Sequence, residues 1–235
     1  MLFVKVQRKF NFYLRALWGR DFFIRPTGAD FADFRPYIGN RILYMPDAVD
    51  NIKIDDDNVI EGLELYRATA AHMASHMCYS TSSVSAEQLS PAQVFFIGLL
   101  EDARVEYKAI KAFPGLKKLW KSLMEVEYED DVEHETMLVL ERIALMLLDS
   151  DVKTDDLAIS QFVSKFHDEI EEKQDDNHFS WLMGMELFNM FAGKKAIPSL
   201  RILERYRISY RDDNRIIWHF EDADWETEFE YVSAS

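Results

Sequence analysis

From Ser90 the sequence reads Ser-Pro-Ala-Gln and then Val94-Phe-Phe-Ile, and no strong breaker follows until Pro114-Gly115. Ser at an N-cap, Pro at the first helical position and Gln at the third, all ahead of an apolar run, form a helix start. The pattern predicts a helix reaching about Lys111, and a chain built around such an element has to supply other elements to bury it. Only 8 Gly and 6 Pro are available as punctuation, too few for a sandwich or barrel that turns every ten or so residues. Hydrophobic residues at 48% and aromatics at 14% provide ample core material. The expected fold is mainly α, a single domain of about seven helices.

The other helices follow from apolar spacing. Phe10, Tyr13, Leu14 and Leu17 mark one from about Lys5 to Trp18. Asn58 with Glu61 reads as a capping box opening a helix to about Tyr79. Further helices are expected over Leu116 to Leu123, His134 to Leu148, Asp155 to Glu172 and Asn177 to Phe191, with a last turn or two from Pro198 toward Tyr206. Between residues 21 and 50, Pro26, Gly28, Pro36, Gly39 and Pro46 predict an irregular, partly extended segment that wraps the helices. The expected domain is 1–208, with 209–235 an acidic, weakly ordered tail, since Glu221 to Tyr231 has no clear period.

Acidic residues outnumber basic ones 42 to 27, for a formal charge of -15. Such a surface repels nucleic acid and anionic lipid, so neither is an expected partner. Cys78 is the only cysteine, which excludes an internal disulfide and suits the cytoplasm. No signal peptide is visible at the N-terminus, and no apolar stretch approaches the roughly 20 residues of a membrane span.

Ala70-Ala-His72-Met-Ala-Ser-His76 places two histidines one turn apart on a helix face, where they can share a metal ion such as zinc. Glu101, on the following helix, is the candidate third ligand. In the metallopeptidase pattern H-E-x-x-H a glutamate follows the first histidine and activates water; Met73 stands there instead. Peptidase activity is therefore not expected, and the alternative for both histidines is hydrogen bonding within the helix packing. Glu101, Asp102, Arg104 and Glu106, with Arg67 as a further partner, are expected to form a structural ion network that fixes helix register. Neither G-x-x-x-x-G-K-[ST] nor G-x-G-x-x-G occurs, so the chain is not expected to hydrolyse ATP.

Five segments, in order, are Arg35-Pro-Tyr-Ile-Gly-Asn-Arg-Ile-Leu-Tyr-Met-Pro, Tyr66-Arg-Ala-Thr-Ala-Ala-His-Met-Ala-Ser-His, Leu100-Glu-Asp-Ala-Arg-Val-Glu, Phe113-Pro-Gly-Leu-Lys-Lys-Leu-Trp and Tyr210-Arg-Asp-Asp-Asn-Arg. Together they resemble the N-terminal region of the CbbO/NorD family. The resemblance implies a noncatalytic adaptor domain that binds a hexameric MoxR-type AAA+ ATPase, CbbQ or NorQ. In the CbbO branch, to which these segments are nearer, the complex is a Rubisco activase and Rubisco is the client. In the NorD branch it serves maturation of nitric oxide reductase. The family's von Willebrand factor A domain, with its D-x-S-x-S motif, is absent from this sequence, so the client-binding role does not carry over and the chain is expected to be the ATPase-facing part of a longer protein. A zincin-like metal-binding hydrolase remnant is the competing expectation.

Overall fold

A computed structural model describes residues 1–27, 35–53, 59–80, 83–125, 135–205 and 208–219. The first part of the chain runs α1 (Gln7–Trp18), β1 (Phe23–Pro26), β2 (Tyr37–Gly39), β3 (Ile42–Met45), β4 (Ile52–Lys53) and β5 (Val59–Ile60). Then come α2 (Gly62–Tyr79), β6 (Val84–Ser85), α3 (Pro91–Ala112), α4 (Gly115–Met124), α5 (Glu135–Leu148), α6 (Leu157–Lys173), α7 (Asn177–Gly193), α8 (Leu200–Arg205) and β7 (Trp218–His219). The protein is thus mainly α, with eight helices among the described residues. None of them is long and apolar enough to cross a membrane.

The start expected at Ser90 is present in full. The Ser90 hydroxyl accepts from the Gln93 amide, and the Gln93 side chain accepts from the Ser90 amide. The start of α2 differs from expectation. Asn58 lies outside the described residues, Val59–Ile60 pairs antiparallel with Ile52–Lys53, and the helix begins at Gly62. Its first amide donates to the Asn51 side chain at 2.9 Å, so the cap comes from the partner strand of the hairpin rather than from the preceding residues. A Cβ at Gly62 would stand 2.9 Å from a Val49 methyl, so this close approach needs glycine.

The segment read as irregular contains a small sheet in the order β1-β3-β2, with β1 parallel and β2 antiparallel to β3. Asn40 and Arg41 turn the hairpin with positive φ at both positions, the conformation that matches strand twist in a two-residue loop. Across it Tyr37 and Tyr44 stack with ring centroids 4.5 Å apart.

Three apolar clusters surround α3 and α2. One joins α3 to α5, α6 and α7 through Phe96, Leu100, Ile143, Phe166 and Leu187. A second packs α1 and the sheet on α2 through Phe3, Phe10, Leu43 and Tyr66. The third sets Trp120 of α4 and Tyr210 against Ala68 and Ala71. From Phe96 to Glu106 every residue of α3 is buried, so its acids and its arginine lie inside the molecule rather than on a solvated face.

Just past α5, Asp149 ties that helix to α4. Its carboxylate receives Lys117 at 2.8 Å and Lys121 at 2.7 Å. Burial raises its pKa, but the two ammonium groups outweigh burial and hold the carboxyl below the usual range. The folded pKa is therefore lower than the unfolded value of about 3.9, and the unfolded state takes up the proton first. The resulting stability is fully present above about pH 4 and lost as pH falls through the folded value. Asp149→Asn is expected to melt below the parent at neutral pH, with the difference shrinking below about pH 4. Thermal unfolding of the pair across that range is the check, and a pH-independent gap would remove the ion pairs as its cause.

Candidate metal centre

Alanine and serine dominate the middle of α2, and Ala68, Ala70, Ala71, Ala74 and Ser75 are all buried. Small side chains let neighbouring helices come close, and that closeness brings the two histidines against α3. His72 and His76, four residues apart, share one face of the helix, with ring centroids 4.8 Å apart and no exposed surface.

Two carboxylates meet them. His76 Nε2 lies 3.1 Å from Asp102 Oδ1 and 3.8 Å from Asp212 Oδ1. His72 Nε2 lies 3.5 Å from Asp102 Oδ1 and 3.6 Å from Asp212 Oδ1. His72, His76, Asp102 and Asp212 each offer one ligand atom, all within 4.8 Å of one another, and all four residues are buried. These are the side chains of the described structure with the spacing to hold a metal ion.

A ring of outer contacts fixes the four. His72 Nδ1 is 3.2 Å from Glu106 Oε1, although neither ring nitrogen of His72 makes a hydrogen bond of regular geometry. Glu106 accepts two hydrogen bonds from Arg211, at 2.9 and 2.7 Å, and one from the Tyr210 hydroxyl at 3.0 Å. His76 Nδ1 meets the Ser80 hydroxyl at 3.0 Å, and that hydroxyl donates to Glu101 at 2.6 Å. Trp120 closes the site from below, stacked on Tyr210 and edge-on to His72. Its indole N–H donates to the Ala68 carbonyl at 3.1 Å.

The local field follows from these neighbours. Burial alone would lower the His72 pKa, but Asp102, Asp212 and Glu106 more than reverse that and leave it well above the usual histidine value. Burial opposes ionisation of Asp102 and Glu106, and Arg211 with His72 overrides it, holding both carboxyls below their usual range. At the edge of the site, burial pushes the Asp213 carboxyl up against the pull of Arg215.

The sequence-based expectations need three corrections. Glu101 is not a third ligand: both its oxygens are taken by Arg104, and Ser80 and Ser180 donate to it as well. Being one residue along the helix from Asp102, it points about 100° away. Arg67 does not join the buried network of Glu101, Asp102, Arg104 and Glu106; it pairs with Glu64 on its own helix and is 42% exposed. The domain does not end at 208. Tyr210, Arg211 and Asp212 are buried against α2 and α3, while 220–235 lies outside the described residues.

Met73 is buried among the Phe10 and Tyr66 cluster, so the place of a zincin general base is apolar. Asp212 and Arg211 are the residues that sequence reading missed. Their signal is the dense Tyr210-Arg-Asp-Asp-Asn-Arg run, which enters the sequence reading only through the family resemblance, since no spacing links it to the histidines. Beside Asp102 and Asp212 a cleft of about 220 Å³ opens, walled by Phe95, Gly98, Arg211 and Asn214. No protein-family model matches this sequence, and neither a curated protein nor a solved structure matches it.

Proposed function

We propose that this chain is a noncatalytic helical adaptor domain of the CbbO/NorD type, acting in the cytoplasm by binding a hexameric MoxR-type AAA+ ATPase. The observation that carries the reading is spatial. The five segments on which the resemblance rests are scattered from residue 35 to residue 215, yet four of them meet at one buried place and the first touches the last. His72, Asp102, Trp120 and Tyr210 are in contact there. The Asp213 amide donates to the Pro36 carbonyl at 3.1 Å, and Arg215 lies over the Tyr37 ring at 4.0 Å. Contact between segments so far apart in sequence supports reading them as parts of one shared fold.

The noncatalytic half rests on Met73 and on the absence of a phosphate-binding loop from the sequence. A charge of -15 favours a basic surface on the ATPase ring. Rubisco would be the client of a full-length protein in the CbbO branch, and nitric oxide reductase in the NorD branch.

The chain is expected to retain the cognate ATPase hexamer in a pull-down at low salt, with less retained as salt rises. No association at low salt would sink the proposal. The cleft reaching Asp102 and Asp212 favours one other reading, a metal-dependent hydrolase, which predicts metal-dependent cleavage of an unfolded protein substrate by the purified chain.

A further inference from the structure

The geometry points to a structural zinc site in which His72 Nε2, His76 Nε2, Asp102 Oδ1 and Asp212 Oδ1 are the ligands, held by Glu106 and Ser80 from behind. This inference is independent of the adaptor reading, because it rests only on the arrangement of buried donors.

Distances come first. A tetrahedral zinc with ligands at about 2.0–2.2 Å has edges of about 3.3–3.6 Å between its ligand atoms. The four histidine–carboxylate separations are 3.1, 3.5, 3.6 and 3.8 Å. These four of the six edges fall within a few tenths of an ångström of that range, and all four atoms lie within 4.8 Å of one another, so a modest closing movement of the side chains completes the shell.

Tautomers come next. Ser80 gives its hydroxyl hydrogen to Glu101 and must therefore accept from His76 Nδ1. This places the neutral ring's proton on Nδ1 and leaves a lone pair on Nε2. Glu106 lies beside Nδ1 of His72 and favours the same tautomer there. A carboxylate or hydroxyl behind each histidine is the usual outer arrangement of zinc ligands. Both Nε2 lone pairs then face carboxylate oxygens, which repel them unless a cation lies between. A proton on His76 would answer for the 3.1 Å contact with Asp102. A second proton, on His72, would face Asp102, Asp212 and Glu106 but make no hydrogen bond of regular geometry at either nitrogen, and Asp212 Oδ2 is likewise unpartnered. One cation at the common point answers for both histidines and draws in Asp212.

Charge gives the third argument. Three buried carboxyl groups, on Asp102, Asp212 and Glu106, gather around the single guanidinium of Arg211, and uncompensated buried charge is strongly disfavoured. Protons on both histidines or one divalent cation at their common point would supply the balance, and the cation is the one that also gives both Nε2 atoms a partner. Two imidazoles with two carboxylates in near-tetrahedral spacing suit zinc better than magnesium or calcium, which take oxygen-rich shells of higher coordination. The cleft at Asp102 and Asp212 provides the access route an ion needs.

The test is metal uptake by the purified chain, stripped with a chelator and titrated with zinc against a competing indicator dye. One equivalent is expected to bind tightly, and cobalt(II) in its place is expected to give the strong visible bands of a tetrahedral site. His76→Asn and Asp212→Asn, both close in shape to the parent, are expected to lose this binding while keeping the helical circular dichroism. Ser80→Ala is expected to weaken it by about 10–100-fold, the usual contribution of an outer partner. No uptake by the folded parent overturns the assignment, and so does uptake that survives both ligand variants. Should a variant fail to fold, the cobalt spectrum of the parent decides: weak octahedral bands overturn the tetrahedral site.

Discussion

Arg104→Met is expected to lower the free energy of unfolding by about 3–5 kcal/mol, the range for removing one partner of a buried ion pair. The guanidinium has no exposed surface. It gives two hydrogen bonds to Glu101, at 2.8 and 2.6 Å, and further ones to the carbonyls of Tyr79 and Gln174. Tyr79 is the last residue of α2 and Gln174 caps α6, so one side chain satisfies carbonyls at two helix ends, where the dipole favours a cation. The methionine stem would fill the space but leave Glu101 ionised with only the Ser80 and Ser180 hydroxyls as donors. Urea unfolding followed by circular dichroism measures the loss. A loss under about 1 kcal/mol, as for an exposed pair, would show that the guanidinium is solvated. The double variant with Glu101→Leu should lose less than Arg104→Met alone, because no orphaned charge remains.

Gly184→Ala is expected to cost about 3 kcal/mol or more, at or beyond the upper end for overpacking. Helix α7 lies directly on α3 at this residue. A Cβ would stand 2.5 Å from Ile97 Cα and 2.8 Å from Ile97 N. Those are backbone atoms of a helix buried on all sides, so no side-chain rotation relieves the contact. The clash also has to overcome the roughly 1 kcal/mol by which alanine otherwise favours a helix over glycine. Gly193, at the end of the same helix, has nothing within 4 Å of a built Cβ; Gly193→Ala should be neutral or stabilising by up to about 1 kcal/mol. Opposite signs for the two substitutions by thermal unfolding are the expected result, and equal effects would mean that α3 and α7 do not touch as closely as described.

What the sequence made legible was whatever depends on near neighbours. The capping box at Ser90 needs only residues three apart, and the histidine pair only four, so both could be read directly. The start of α2 could not, because Asn51 caps it across a hairpin, from eleven residues before Gly62. The choice between Glu101 and Asp102 as a ligand is a choice of helix face, settled by where α2, α7 and Ser180 lie. Asp212 was hidden for a different reason. Charged side chains near a chain end read as solvated unless the buried acids that hold them are known, and those acids lie on α3.

Arg211 reaches Glu106 across 105 residues, and its segment follows α1 to α8. On the ribosome, at roughly 5–20 residues per second, Glu106 is synthesised about 5–20 s before the guanidinium that neutralises it. During that interval α3 cannot bury its acids on the α2 side without penalty. The α2–α3 interface therefore reaches its native charge balance only after residues 208–219 have been made, and in the folded molecule that segment acts as a latch across the two helices.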